Sequence, residues 1–214
     1  MYSRIHANTD DCYVGITIEQ YSDDGETVAL RPTLETDRLI LRPFDLADSE
    51  VVQLLAGDRA IADTTSSVPH PYEDGAAEVW ISKHQEMFEQ GKELDLAIVR
   101  KRGGCLLGAI SLMGISPGHQ AELGYWIGKP HWNQGFCTEA ARALLRYAFE
   151  NMGLERVHAC HFARNPASGH VMENIGMRRE GCRRQHVKKW GIPEDIVLYG
   201  LLRREWEAGN RSTL

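Results

Sequence analysis

Between Ala121 and Phe162 the spacing of apolar residues changes period twice, and this limits the folds open to the chain. Ala121 to Ile127 alternates as a strand does. A loop containing Gly135 follows. Ala141, Leu144, Leu145, Ala148 and Met152 then recur at i, i+3, i+4, i+7 and i+11, the repeat of one helix face, and Gly153 stops the run. Arg156 to Phe162 returns to strand spacing. This succession is a βαβ unit. Upstream, Leu94 to Arg100 and Cys105 to Ile115 read as strands joined at Arg102-Gly103-Gly104, and with Ala121 to Ile127 they form an antiparallel meander. Downstream, a helix at Ala167 to Asn174 precedes strands near Met177 to Val187 and Asp195 to Leu202. The expected architecture is α/β: a mixed sheet with helices packed on its faces.

The first half is less regular. Val14, Ile16 and Ile18 alternate, Asp24-Gly25 offers a turn and Val28 to Leu30 a return, so residues 1–34 read as an extension holding a β-hairpin. Arg38 to Arg42 alternates charged and apolar residues as a half-buried strand would. Asp45 is placed to cap a helix from Leu46 to Leu55, and Glu73 to Gln90 sets Ala77, Trp80, Ile81, His84 and Phe88 on one helix face, ended by Gly91. Residues 204–214 read as a polar tail.

Composition narrows the function classes. With 214 residues, 43% hydrophobic and 25% charged, the chain is long and apolar enough to bury a core. Met1 to Val14 lacks the apolar segment of a secretory signal, and no run reaches the ~20 apolar residues of a membrane helix. The five cysteines are scattered, which suits a reducing cytoplasm. A formal net charge of -6, with no basic stripe interleaved with aromatics, argues against nucleic acid and slightly favours a cationic or neutral acceptor over an anionic one.

The stretch Glu122-Leu123-Gly124-Tyr125-Trp126-Ile127, Gly128 to His131, and Trp132-Asn133-Gln134-Gly135-Phe136-Cys137-Thr138-Glu139-Ala140 carries the chemistry. The backbone N–H groups of such a loop, with the positive end of a helix behind them, hold a pyrophosphate without a basic side chain, and Gly135 permits close approach. The plainer alternative is a glycine that only shapes a strand-to-helix turn. Gly124-x-x-x-Gly128-Lys129-Pro130 is one spacer short of the nucleotide-kinase loop and ends in Pro, and no Gly-x-Gly-x-x-Gly follows a strand.

Thr36-x-Arg38-Leu39-x-Leu41-Arg42, Glu122-x-Gly124-Tyr125-Trp126-Ile127, the loop into Thr138-Glu139-Ala140, and Asn165-x-x-Ser168 before Asn174-x-Gly176-Met177 occur in one order. In that order they resemble the GNAT superfamily, and within it the Rim-type ribosomal-protein N-terminal acetyltransferases, over about residues 35–203. The departures are Trp132 where the family loop usually has Gln or Arg, Cys137 where it has Gly or Ala, and Asn133 where Gly is frequent. The resemblance implies a mostly antiparallel sheet with a central splayed parallel pair. Acetyl-CoA is the implied cosubstrate, its pantetheine arm entering between Glu122 to Ile127 and Arg156 to Phe162 like an added strand. It implies backbone contacts to the cofactor from Tyr125, Trp126 and Ile127, phosphate contacts from Asn133, Gln134, Gly135, Phe136, Cys137 and Thr138, and a further contribution from Asn165 and Ser168.

Attack by an amine on a thioester needs a base for the amine and an acid for the departing thiolate. Ser168 matches the family's acid position and otherwise caps a helix. Glu122 is the preferred base. His186 is the runner-up, although the position where Rim-type enzymes place an acidic residue here holds Val187. His158-Ala159-Cys160-His161 resembles a metal cluster, but alternation sends His161 to the opposite face from His158 and Cys160, so no metal is expected. No Gly-x-Ser-x-Gly elbow supports a covalent acyl-enzyme through Cys137 or Ser168, so direct transfer is the simpler scheme. Trp80, Trp126 and Trp132 read as packing residues. The acceptor pocket is expected between Leu46 to Gln90 and the segment Val187 to Glu194, and the N-terminal hairpin with the C-terminal strands would permit a homodimer. The rival reading is a non-catalytic CoA-binding or scaffold protein built on the same domain.

Overall fold

The computed structural model of the protein describes residues 19–21 and 27–211. Two short strands, β1 (Glu19–Tyr21) and β2 (Thr27–Ala29), pair antiparallel with Tyr21 opposite Thr27. Val14 to Ile18 and the turn at Asp24-Gly25 lie outside the described residues.

The main sheet contains β3 (Leu34–Glu35), β4 (Leu39–Arg42), β5 (Leu94–Arg100), β6 (Leu106–Ser116), β7 (Gln120–Ile127), β8 (Arg156–Phe162), β9 (Arg178–Lys189) and β10 (Ile192–Leu202). Their spatial order is β3-β4-β5-β6-β7-β8-β10-β9. All neighbours are antiparallel except β7 and β8, the parallel pair joined by the helix of the βαβ unit. β7 and β8 pair over only three positions, Gln120 with Arg156, Ala121 with Val157 and Glu122 with His158. Beyond Glu122 the two strands part.

One face of the sheet packs against α5 (Phe136–Glu150), whose Phe136, Ala140, Ala141, Leu144, Leu145, Ala148 and Phe149 are buried. They meet Leu39, Leu96, Ile98, Ile110 and Leu112 from the strands. Each such leucine or phenylalanine removed from water contributes about 1.5–3 kcal/mol, so this face fixes the βαβ unit. The other face carries Ala97, Val99, Leu106 and Ala109, covered by α1 (Ser49–Ala56) and α3 (Ala76–Ser82) through Val52, Ala56, Ala77 and Ile81. A short helix α2 (Arg59–Thr64) lies between them in sequence. Small side chains on this second face let the helices approach and leave room beside them for a cavity.

Several elements differ from the sequence reading. The segment expected as one helix from Leu46 begins with a 3₁₀ turn at Leu46–Asp48, where Asp45 accepts from the Ala47 amide and Asp48 reaches back to the Asp45 amide. The helix expected over Glu73 to Gln90 divides at Lys83 into α3 and α4 (His84–Glu89). Trp80, His84 and Phe44 still form one cluster, with ring centroids 4.5–5.5 Å apart. Val187 to Glu194 is not a loop but the end of a hairpin turning at Trp190-Gly191, both with positive φ (51° and 81°), as a two-residue primed turn requires. After α6 (Pro166–Asn174) and this hairpin, residues expected as a polar tail form α7 (Arg203–Arg211), with Trp206 packed 5.4 Å from Phe149 between ring centroids.

Candidate active site

The parting of β7 from β8 creates the site. Gly128 N–H bonds to Leu107 O at 2.8 Å, so strand alternation turns the backbone groups of Trp126 and Gly124 toward β6 and those of Ile127, Tyr125 and Leu123 toward the gap. The Trp132 indole donates to Ile127 O and closes that end. The gap therefore presents Tyr125 on both backbone groups, Leu123 on its carbonyl, since the pairing of Glu122 with His158 takes up the Leu123 amide, and Ile127 on its amide. Trp126, expected to contribute backbone, has it committed to β6, and its side chain instead lines the cavity below. Trp132 is one-third exposed and ties the strand end to the loop, a role beyond the packing expected of it.

The loop leads into α5 at Gly135, whose φ of 76° is left-handed, as is the 59° of Asn133. The first intrahelical bond runs from Glu139 N to Gly135 O at 3.1 Å, so the amides of Phe136, Cys137 and Thr138 lie in the helix turn that has no internal acceptor. Their orientation makes an anion cradle. The side chains do other work. Phe136 is buried beneath the Arg38 guanidinium, 4.7 Å from its ring centroid, and burial pushes the Cys137 thiol far above its usual range, so that it stays protonated.

Two segments a hundred residues apart lock this turn. Glu139 Oε1 accepts from the Thr36 hydroxyl at 2.6 Å and from the Arg38 amide at 2.9 Å, while Arg38 Nε donates to Oε2 at 2.6 Å. Arg38 Nη1 also donates to Gln134 O at 3.1 Å. Burial alone would raise the Glu139 carboxyl, but these donors hold it below the usual range. The Thr36-x-Arg38 opening and the Thr138-Glu139-Ala140 stretch are thus two halves of one clamp.

Ser168 and Tyr125 meet across the gap. The Tyr125 hydroxyl lies 3.0 Å from both the Ser168 carbonyl, to which it donates, and the Ser168 hydroxyl. Burial pushes the Tyr125 phenol far above its ordinary range, so it stays protonated at neutral pH. Helix capping falls to Asn165, whose side chain accepts from the Ser168 amide at 3.4 Å, leaving the Ser168 hydroxyl for Tyr125. Asn165 therefore works on the helix end.

Glu122 stands where the strands part, with Cys160 Sγ donating to its Oε1 at 3.3 Å. Partial burial, and then Glu122, pushes the Cys160 thiol up to about 12. His158 lies opposite Glu122 in register, and burial lowers its imidazole despite that carboxylate. His161 takes the opposite side of β8 from Cys160, its ring 5.7 Å from that of Tyr199 and its Nδ1 2.8 Å from Phe162 O, and it too lines the cavity below. His186 is not brought to the site: it is exposed on β9, 3.2 Å from Arg183 Nη1. Val187 pairs with Glu194 on β10.

A cavity of about 430 Å³ opens from this point across the second face of the sheet. Its floor is Asp95, Ser111 and Gly124, in register on three adjacent strands, and its roof is the loop Thr64 to Pro69 with Tyr72 and Trp80. The β9–β10 hairpin, expected as a wall, supports the roof from outside: Lys189 Nζ donates to Val68 O at 3.0 Å, and Arg164 bridges Asp63 and Glu194.

The comparisons with known proteins agree with this geometry. Residues 38–178 match the model of the acetyltransferase (GNAT) domain. The chain belongs to the GNAT acetyltransferase family. This GNAT chain is 31% identical to the N-acetyltransferase YnaD of Bacillus subtilis (strain 168), a protein of uncharacterized role, over 81% of this chain and 98% of that one. It is 43% identical over 105 residues to YdaF of the same organism, which carries the name of a ribosomal N-acetyltransferase, covering 49% of this chain and 57% of YdaF. Among solved structures, a GNAT-family acetyltransferase from Bacillus anthracis superimposes with a TM-score of 0.73 at 25% identity, over 81% of this chain and 99% of the other. The GNAT chain is an acyltransferase that moves an acetyl group from acetyl-CoA to an amine. Among the described residues no group of three or more His, Cys, Asp or Glu is placed to hold a metal ion, and no helix is long and apolar enough to cross a membrane.

The sequence reading missed Asp95, Leu123 and the Tyr125 hydroxyl. Asp95 had no local signal, since Leu94-Asp95-Leu96 reads as an ordinary half-exposed strand. The alternation from Gly128 could have singled out Tyr125 and Leu123.

Proposed function

We propose that the chain acetylates a primary amine by direct attack, with Tyr125 as the acid and Glu122 as the base. The observation that carries this reading is the pair Glu122 and Tyr125 at the mouth of one gap, one on the cavity side and the other holding a phenolic proton beside Ser168. The amides of Gly135 to Thr138 hold the pyrophosphate, and Tyr125 and Leu123 offer backbone groups to the pantetheine arm and the thioester carbonyl. Glu122, directly or through a water, takes a proton from the amine as its lone pair forms the new C–N bond. The Tyr125 hydroxyl gives its proton to sulfur as the C–S bond breaks, and the neighbouring Ser168 hydroxyl stabilises the phenolate that remains. Atoms and charges then balance: an amide, a free thiol, and a proton to return from Glu122 to Tyr125 through solvent.

The acceptor amine enters by the cavity, whose volume suits a small molecule or the first residues of a peptide. The name of YdaF supports a ribosomal acceptor, and the Rim-type motifs over residues 35–203 point to a peptide α-amine. A reducing cytoplasm suits a site with Cys137 and Cys160 as free thiols. The test is thiol release from acetyl-CoA with a panel of small amines and peptide N-termini, with intact mass of the protein followed during turnover. Amine-dependent thiol release without an acetylated protein supports direct attack. A folded protein that binds acetyl-CoA and acetylates nothing would favour the scaffold reading.

A further inference from the structure

The cavity wall carries three carboxylates, Glu93, Asp95 and Glu122, and no Lys or Arg among the described residues that line it. Two of the three have work elsewhere or access to solvent: Glu122 stands at the reacting end, and Glu93 is half-buried just before β5. Asp95 is different. It is only 4% exposed, its Oδ1 accepts from the Ser111 hydroxyl, and its Oδ2 has no hydrogen-bond partner among the described residues. A buried carboxylate oxygen without a donor is costly, and a fold retains one where something else completes it.

Arg31 is the cation within range. It forms no ion pair with Asp95, its Nε donates to Gln85 Oε1 at 3.0 Å, and its Nη1 also lacks a hydrogen-bond partner among the described residues. His84, near Arg31, is held neutral by burial. Arg31 interacts electrostatically with Asp95 but is not among the residues that line the cavity, whose wall stays acidic.

The sheet sets the spacing. Asp95, Ser111 and Gly124 occupy one row across β5, β6 and β7, so Asp95 lies two strand separations, roughly 10 Å between backbones, from the strand that borders the gap. We infer that the acceptor is a small dication, a primary amine carrying a second ammonium group that is held by Asp95 with Glu93 while the first amine meets Glu122. This rests on the acetyl-transfer reading for the identity of the reacting end, but the subsite itself is a binding claim.

The experiment compares 1,5-diaminopentane with 1-aminopentane, which have the same carbon chain and differ in the second ammonium. Both are titrated calorimetrically into the CoA-loaded protein, and both are assayed for thiol release from acetyl-CoA. The diamine is expected to bind at least about tenfold tighter, and Asp95→Asn, checked for folding by its melting curve and its acetyl-CoA affinity, is expected to bring the ratio close to one. Equal binding of the two amines by the wild-type protein overturns the inference without recourse to any variant, and so does a preference that Asp95→Asn leaves intact. Diamine-selective binding without thiol release would uphold the subsite and sink the transferase reading, whereas acetylation of both amines at equal efficiency would do the reverse.

Discussion

Replacing Gly135 by alanine separates the phosphate cradle from the stability of the fold. The left-handed φ of 76° costs an L-residue about 1–2 kcal/mol, and at ~2–4 °C per kcal/mol for a chain of this size the melting temperature should fall by roughly 2–8 °C. Nothing among the described residues clashes, because the closest atom to the added Cβ is Arg38 Nη2 at 3.5 Å, an ordinary contact. The Cβ does intrude on the surface of the α5 amides that we propose to hold the pyrophosphate. Losing one hydrogen bond to a charged group there is worth about 1.5–3 kcal/mol, so the Kd for acetyl-CoA should rise about 10- to 100-fold. Gly153→Ala is the matched control: its φ of 66° carries the same strain, nothing lies within 4 Å of its Cβ, and it stands beyond the far end of α5. Differential scanning fluorimetry should show similar losses for both variants, and calorimetric titration should show weakened acetyl-CoA binding only for Gly135→Ala. Wild-type affinity in Gly135→Ala, or equal weakening in both, would refute the placement of the phosphates.

Tyr125→Phe removes the phenolic proton while keeping the ring in its packing, so kcat should fall by ~10²-fold or more with the KM for acetyl-CoA within about threefold, measured by thiol release over a range of both substrates. Glu139→Gln strips the charge from the clamp on Thr36 and Arg38; with Arg38 half-exposed the stability loss should stay near 1 kcal/mol, and the affinity for CoA should drop severalfold in calorimetry. His84 is depressed to about 4 by burial first and by Arg31 second, so protons prefer the unfolded chain. Stability is then fully present above about pH 6.5 and lost as pH falls toward 4, by about 2 kcal/mol at pH 5. His84→Phe, which keeps a ring against Phe44 and Trp80, should lose that share of the decline in melting curves taken at pH 7 and pH 5.

How far the sequence could be read follows from how local each feature is. The βαβ unit was legible because α5 buries one continuous stripe, so its period survives in the chain. The meander was legible through the turn at Gly103-Gly104. The break at Lys83 was not, since α3 and α4 share one aromatic cluster around Trp80 and His84 and keep a nearly continuous apolar face. Trp190-Gly191 escaped notice because a bulky residue rarely takes the first left-handed place of a tight turn. Trp206 sits among charged residues, and only its contact with Phe149 reveals why that segment is helical. In the site, the strand-to-helix turn was legible from Gly135 and the helix behind it. The clamp on Glu139 joins residues 101 and 103 positions apart, and Asp95 becomes buried only when the roof from Thr64 to Pro69 closes over the sheet. Neither leaves a trace in the neighbouring residues.

The central claim is that acetyl-CoA lies in the gap between β7 and β8 with its phosphates on the first turn of α5. Residue-resolved amide hydrogen exchange, with and without saturating acetyl-CoA, tests it most directly. The account predicts slowed exchange at Tyr125, Ile127 and Phe136 to Thr138, with Trp126, already bonded to β6, unchanged. Protection confined to other segments, or none at all in a folded protein, would contradict it.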